Sequence, residues 1–189
     1  KSRITGSVTA YKSNTKDQVV PVGLAISSGF STYLTNTGEV ENIGLETQLR
    51  LVPIRTESGF ELSIGANYTY NENKVLSISD DQNEINLAGI GTAGIFAIKG
   101  QPFPTLKGST YNRDDQGRII VDAITGFPSV TSNISILGNT EPKHRLGLDL
   151  ASSYKGFRLA GLFEYRAGFV MYNGGSTGYD FSGAGIRST

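Results

Sequence analysis

Apolar and polar side chains alternate with a period of two over long runs of this chain. From Phe60 the even positions read Phe60, Leu62, Ile64, Ala66, Tyr68 and Tyr70, while the odd positions read Glu61, Ser63, Gly65, Asn67, Thr69 and Asn71. Successive side chains on a strand point to opposite faces, so this run predicts a β-strand with one apolar and one wet face. A second run sets Ile43, Leu45, Thr47, Leu49 and Leu51 against Gly44, Glu46, Gln48 and Arg50. A third sets Phe157, Leu159, Gly161, Phe163, Tyr165, Ala167 and Phe169 against Arg158, Ala160, Leu162, Glu164, Arg166 and Gly168, with Leu162 as the exception. Weaker alternation covers Ile4–Tyr11 and Leu146–Tyr154.

Short connections join these runs. Pro53–Gly59 links the second run to the first, and Lys155-Gly156 reads as a two-residue hairpin between Tyr154 and Phe157. No helical periodicity is sustained, so the class is all-β and antiparallel. Strand length then separates two architectures. Globular strands usually run about 5–6 residues, whereas a strand that crosses a bilayer needs about 9–11. The alternation here holds across 43–51, 60–71 and 157–169, which favours an antiparallel transmembrane β-barrel over a soluble β-sandwich. Aromatic residues mark the ends of these runs, as Phe60 with Tyr68 and Tyr70, and as Phe157 with Phe169. Ten residues tilted near 45° span roughly 23 Å, close to the apolar band of such barrels.

Barrels of this kind keep their periplasmic turns short and their extracellular loops long. Pro53–Gly59 and Lys155-Gly156 are therefore expected at the periplasmic end, and Ser13–Thr35 and Ser77–Ala93 at the extracellular end. Gly94–Pro142 stays open in strand count and orientation, with a strand pair expected around Asn112–Gly117.

Composition adds exclusions. Seventeen basic residues balance 17 acidic ones in 189, so there is no basic footprint for nucleic acid. Cysteine is absent, which removes disulfides and thiolate metal sites. No apolar stretch is long enough for a transmembrane helix. The chain lacks the charged start and apolar core of a signal peptide, and begins in alternating sequence at Ile4. Residues 1–189 are thus expected to be one part of a longer barrel domain.

Several motifs resemble the SusC/RagA family of TonB-linked outer-membrane transporters. Asn36, Gly38, Asn42, Gly44 and Glu46 match its N-x-G-x-x-x-N-x-G-x-E start of a barrel strand. "YNENKVLSI" at Tyr70–Ile78, "GQP" at Gly100–Pro102, "LGNTEPK" at Leu137–Lys143 and "YKGF" at Tyr154–Phe157 follow in the family's order. The resemblance implies a plugged barrel of about 22 strands, of which this chain would supply roughly a third. It further implies an outer-membrane location, a SusD-like surface lipoprotein, energy from the TonB complex through an absent N-terminal part, and a glycan or peptide as cargo. A siderophore-type TonB-dependent receptor is the alternative within membranes, and a soluble β-sandwich carbohydrate-binding module is the alternative outside them.

Candidate chemistry is thin. "GIGTAG" at Gly89–Gly94 fits G-x-G-x-x-G, but a dinucleotide site needs a helix after it, and Pro102 and Pro104 follow soon, so a flexible loop is expected. His144 is the sole histidine that a Ser-His-Asp triad could use; between Lys143 and Arg145 it reads as a polar strand-end residue. The carboxylates Asp80, Asp81 and Glu84, and Asp114 with Asp115, lack EF-hand spacing and read as solvated loop charge rather than a calcium site. The polar faces, with Glu46, Gln48, Arg50, Glu61, Asn67, Arg158, Glu164 and Arg166, are expected to line the lumen and touch plug or cargo. No catalytic, cofactor-binding or metal-binding residue is nominated, no cofactor is expected, and the chain reads as no enzyme.

Overall fold

The computed structural model describes residues 2–17, 19–23, 26–30, 32–36, 38–78, 82–90, 92–131 and 133–185. Its strands are β1 (Ile4–Lys16), β2 (Val19–Gly23), β3 (Thr32–Asn36), β4 (Glu39–Arg55), β5 (Glu61–Ser77), β6 (Glu84–Ile90), β7 (Ala93–Ile98), β8 (Thr105–Gly108), β9 (Ser135–Asn139), β10 (His144–Tyr154) and β11 (Phe157–Ala167). One short helix, α1 (Ser176–Phe181), follows.

The long alternating runs form one five-stranded antiparallel sheet in the order β1-β4-β5-β10-β11. Its register carries the sequence pattern straight across. Gly6, Leu49, Ala66, Leu148 and Phe163 are mutual partners along one row, and Ile4, Leu51, Ile64, Leu150 and Gly161 along the next. Partners in register share a face, so the even positions of β5 and the odd positions of β11 lie together. That face is bare: Phe157 is 83% exposed, and Leu159, Phe163 and Tyr165 are exposed beside it. A soluble sandwich would cover such a face with a second sheet. The β-sandwich alternative is therefore excluded.

The connections at one end are tight. Lys155 and Gly156 both have positive φ, 44° and 91°, as a two-residue hairpin of strand-matched twist requires. The other turn is shorter than the sequence suggests. A bulge between Leu51 and Ile54 lets β4 continue through Pro53 to Arg55, returning Ile54 to the apolar face opposite Leu62. The chain reverses at Thr56–Phe60, where the Thr56 amide donates to the Phe60 carbonyl at 2.9 Å and Gly59 takes a φ of 88°.

The long connections lie at the opposite end. Between β1 and β4 stands the β2–β3 hairpin, and between β5 and β10 a four-stranded sheet in the order β6-β7-β8-β9. The open stretch Gly94–Pro142 is thus resolved into β7, β8 and β9, all at the long-loop end. The strand pair expected near Asn112–Gly117 is a narrow arm held by three isolated bridges, Tyr111–Val130, Arg113–Ile119 and Val121–Pro128. Because 93–139 folds into its own sheet, the wall arc holds five strands. Among the described residues the buried core is small and sits at this end, built from Val40, Val75, Ile78, Ile85 and Ala97, with Leu87 and Phe103 against it.

Candidate functional site

The bare apolar face is bounded by aromatic rows. At the long-loop end Tyr68, Tyr70, His144 and Tyr165 occupy neighbouring register positions. His144 Nδ1 lies 2.8 Å from the Tyr68 hydroxyl, and its ring centroid is 5.3 Å from that of Tyr70. The only histidine is thus part of an aromatic belt. At the turn end Phe60 and Tyr154 approach to 6.4 Å between ring centroids, beside Phe157. Aliphatic side chains fill the band between. Rings at both rims of an apolar strip are the arrangement that suits a bilayer with two interfaces.

The opposite face is wet, and it gathers every polar residue expected in the lumen. Glu46 faces Thr69, Gln48 faces Asn67, and Arg50 faces Gly65. Glu61, Ser153 and Arg158 share a row, Glu164 and Gly147 another, and Arg166 pairs with Arg145. Leu162 lies here too, opposite Asp149 with no register shift, at 78% exposure. Its break in the pattern is therefore a true apolar residue on the wet face. Asp149, Arg145 and Tyr11 also belong to this face, and their alternation with Leu146, Leu148 and Leu150, or with Ala10, was the signal for them. Three glycines let neighbours lie flat on the sheet: a Cβ on Gly44 would meet the Tyr11 ring, on Gly65 the Asp149 carboxylate, and on Gly147 the Asn67 amide. Tyr11, laid over Gly44, donates its hydroxyl to Asn71 Oδ1 at 3.1 Å.

At the long-loop end the wet face is covered by its own connection. Val40 and Val75 are register partners on that face, and Val75 is only 1% exposed beneath Ile78, Ile85 and Ala97. Asn73 clamps the Phe103 main chain, donating from Nδ2 to its carbonyl and accepting its amide at 2.7 Å. The Val75 amide donates to the Gln101 carbonyl at 3.0 Å, and Gly100 donates back to Val75 at 2.8 Å. The segment around 99–103 therefore forms a shelf tied to the wet side of β5. From it projects the arm at 110–131, with Ile124 94% exposed and Phe127 and Val121 exposed beside it.

Other motifs resolve into local structure. In "GIGTAG" Gly89 and Ile90 are paired strand residues opposite Gly94 and Ala93, in place of the expected flexible loop, while Gly91 lies outside the described residues. A strand follows it where a dinucleotide fold would need a helix. Asp80 and Asp81 lie outside the described residues. Glu84 is held by Lys107 at 2.7 Å, and Asp114 by Arg118 at 2.7 Å, so each carboxylate is engaged at its own place.

With this geometry in view, comparison with known proteins is informative. Residues 1–187 match the family described as TonB dependent receptor-like, beta-barrel. A TonB-dependent receptor of Formosa agariphila is 29% identical over 144 residues, which cover 74% of this chain and 13% of that protein. TonB-dependent receptor SusC of Bacteroides thetaiotaomicron is 31% identical over 90 residues, 46% of this chain and 9% of that protein. In fold, the chain superposes on the RagAB peptide importer in its closed-closed state with a TM-score of 0.68 at 21% identity, covering 98% of this chain and 21% of that one. The chain thus spans less than a quarter of each of these relatives.

Proposed function

The chain belongs to the TonB-dependent receptor-like β-barrel family, whose members are outer-membrane receptors and transporters rather than enzymes, and from that premise we propose that residues 1–189 are part of the barrel domain of an outer-membrane nutrient importer. In this reading the bare face meets outer-membrane lipid and the wet face lines the lumen. The short turns face the periplasm, and the shelf and arm stand at the extracellular mouth. The carrying observation is the register itself, which sets one mostly apolar face, broken by Thr47 and Ser152 and rimmed by aromatics along β5, β10 and β11, against one wet face across five strands.

The importer works with a SusD-like surface lipoprotein and draws energy from the TonB complex through a part of the protein beyond these residues. Its cargo is a glycan or a peptide. The fold shared with a protein titled a peptide importer supports the peptide, and the motifs that resemble the SusC/RagA family support the glycan. The exposed apolar arm at the mouth is suited to contact with the lipoprotein or with neighbouring loops, since large apolar side chains left bare on a loop mark contact surfaces. Growth of the native host with the gene intact or deleted tests the reading, on defined glycans and on peptides as sole nutrient. Loss of growth on one of these, restored by the gene, is the expected result. Unchanged growth on all of them, with uptake of an iron chelate lost instead, would point to the siderophore-type receptor.

A further inference from the structure

The wall strands carry Arg50, Arg55, Arg145, Arg158 and Arg166, all on the inner face. Three are in ion pairs: Arg55 with Glu61 at 2.7 Å, Arg145 with Glu141 at 2.9 Å, and Arg166 with Glu164 at 2.7 Å. Arg50 and Arg158 have neither an ion pair nor a hydrogen bond among the described residues. These two line the same depression, of about 300 Å³, at the short-turn end of the wall. Between them lie the small residues Ser63, 7% exposed, Ala151 and Ser152. Ser153 stands at the rim of the depression, and the Ser63 hydroxyl is spent on the Ala151 carbonyl at 3.4 Å. The acids nearby do not neutralise it. Glu61 itself lines the depression and is paired with Arg55, so of the charged groups lining it Arg50 and Arg158 outnumber the one carboxylate.

We propose that this depression seats a carboxylate side chain carried by the part of the full-length protein that fills the lumen. The inference rests on the barrel-wall reading and names a contact within it. Wall barrels of about 22 strands have a plugged lumen, and packing against unpaired guanidiniums is unfavourable unless an anion meets them. Two guanidiniums over a floor of small residues suit a carboxylate, which each binds through paired N–H donors. The chain spans 13% of one relative and 21% of another, which leaves room in the barrel-wall reading for a segment that fills the lumen. A segment of the same chain is also present at high effective concentration, unlike free cargo.

The experiment uses the full-length protein in outer-membrane vesicles, with a benzophenone amino acid in place of Ser153 and the cross-linked peptide identified by mass spectrometry. The expected product joins Ser153 to a segment of the same chain outside residues 1–189 that contains Asp or Glu. Arg158→Glu should lower its yield by about tenfold, as loss of a desolvated charge pair implies. Reversing the partner acid to Lys in that background should restore it. If Arg158→Glu fails to assemble, Arg158→Gln gives the same comparison. A cross-link to a segment without an acid, a yield unaffected by either substitution, or a product formed only when glycan or peptide is added would each overturn the proposal. Lipid accessibility of position 64 in the same vesicles reports the barrel reading separately.

Discussion

Ile64 lies on the apolar face between Leu51 and Leu150, near the middle of the band between the aromatic rows. An arginine there would meet hydrocarbon, so Ile64→Arg should destabilise the full-length barrel by roughly 2–4 kcal/mol. Gln48, exposed on the inner face, is the matched control, and Gln48→Arg should stay within about 0.5 kcal/mol of wild type. Denaturant titration of the folded, heat-modifiable species measures both. Ser63 would be a poor control, because it forms the packed floor beneath Arg50 and Arg158. Single residues on the wall were legible in the sequence because a period of two leaves no freedom about which way a side chain points. What the sequence did not show was which inner-face charges pair. Arg166 with Glu164 is a local i, i+2 contact, but Arg55 with Glu61 depends on the bulge at Leu51–Ile54 to bring the strand ends level.

Among elements, the shelf was the least legible. β8 and β9 are short, and Gly100, Pro102, Pro104 and Gly138 interrupt any period around them. The pattern also gave no reason to expect Val40 and Val75 beneath a cover, since each is an apolar residue on an otherwise polar face. Their burial explains why β4 and β5 run beyond the aromatic row to Glu39 and Ser77. Val75→Asp should release the shelf while leaving the wall assembled, seen as proteolytic cleavage within 84–139 of a barrel that remains heat-modifiable. Excising the arm is expected to be milder, because its ends meet where the Thr131 amide donates to the Thr110 carbonyl at 2.7 Å. The arm also carries a pH dependence. The Arg118 amide and side chain hold the Asp114 carboxyl below its usual range, and the Thr125 amide and hydroxyl with the Ile124 amide do the same for Asp122. Depressed carboxyls support their turns above the ordinary value of about 3.9, and that support is lost as pH falls through the lower folded value. Amide protection at Arg118 and Thr125, corrected for intrinsic exchange, should therefore fall on acidification below about pH 4. Asp114→Asn should abolish the dependence at Arg118 and spare Thr125.

At the scale of the whole molecule, the sheet is open. β1 and β11 are each paired on one side only, and a barrel removes such edges by closing. Expressed alone, residues 1–189 should aggregate or need detergent, which size-exclusion chromatography with and without detergent would show; a stable soluble monomer would be incompatible with the bare face. The central claim is that this face meets lipid and the other lines a lumen. Because the chain contains no cysteine, single cysteines placed at each position from 60 to 70 report cleanly within it. The direct measurement labels each in the full-length protein in liposomes with an environment-sensitive fluorophore and compares quenching by a lipid-embedded and a water-soluble agent. Even positions should be quenched from the lipid, and the odd positions from water wherever no neighbour covers them, as Asp149 covers Gly65 and the packed floor encloses Ser63. Water quenching at Leu62, Ile64 and Ala66, or no alternation at all, would contradict the account.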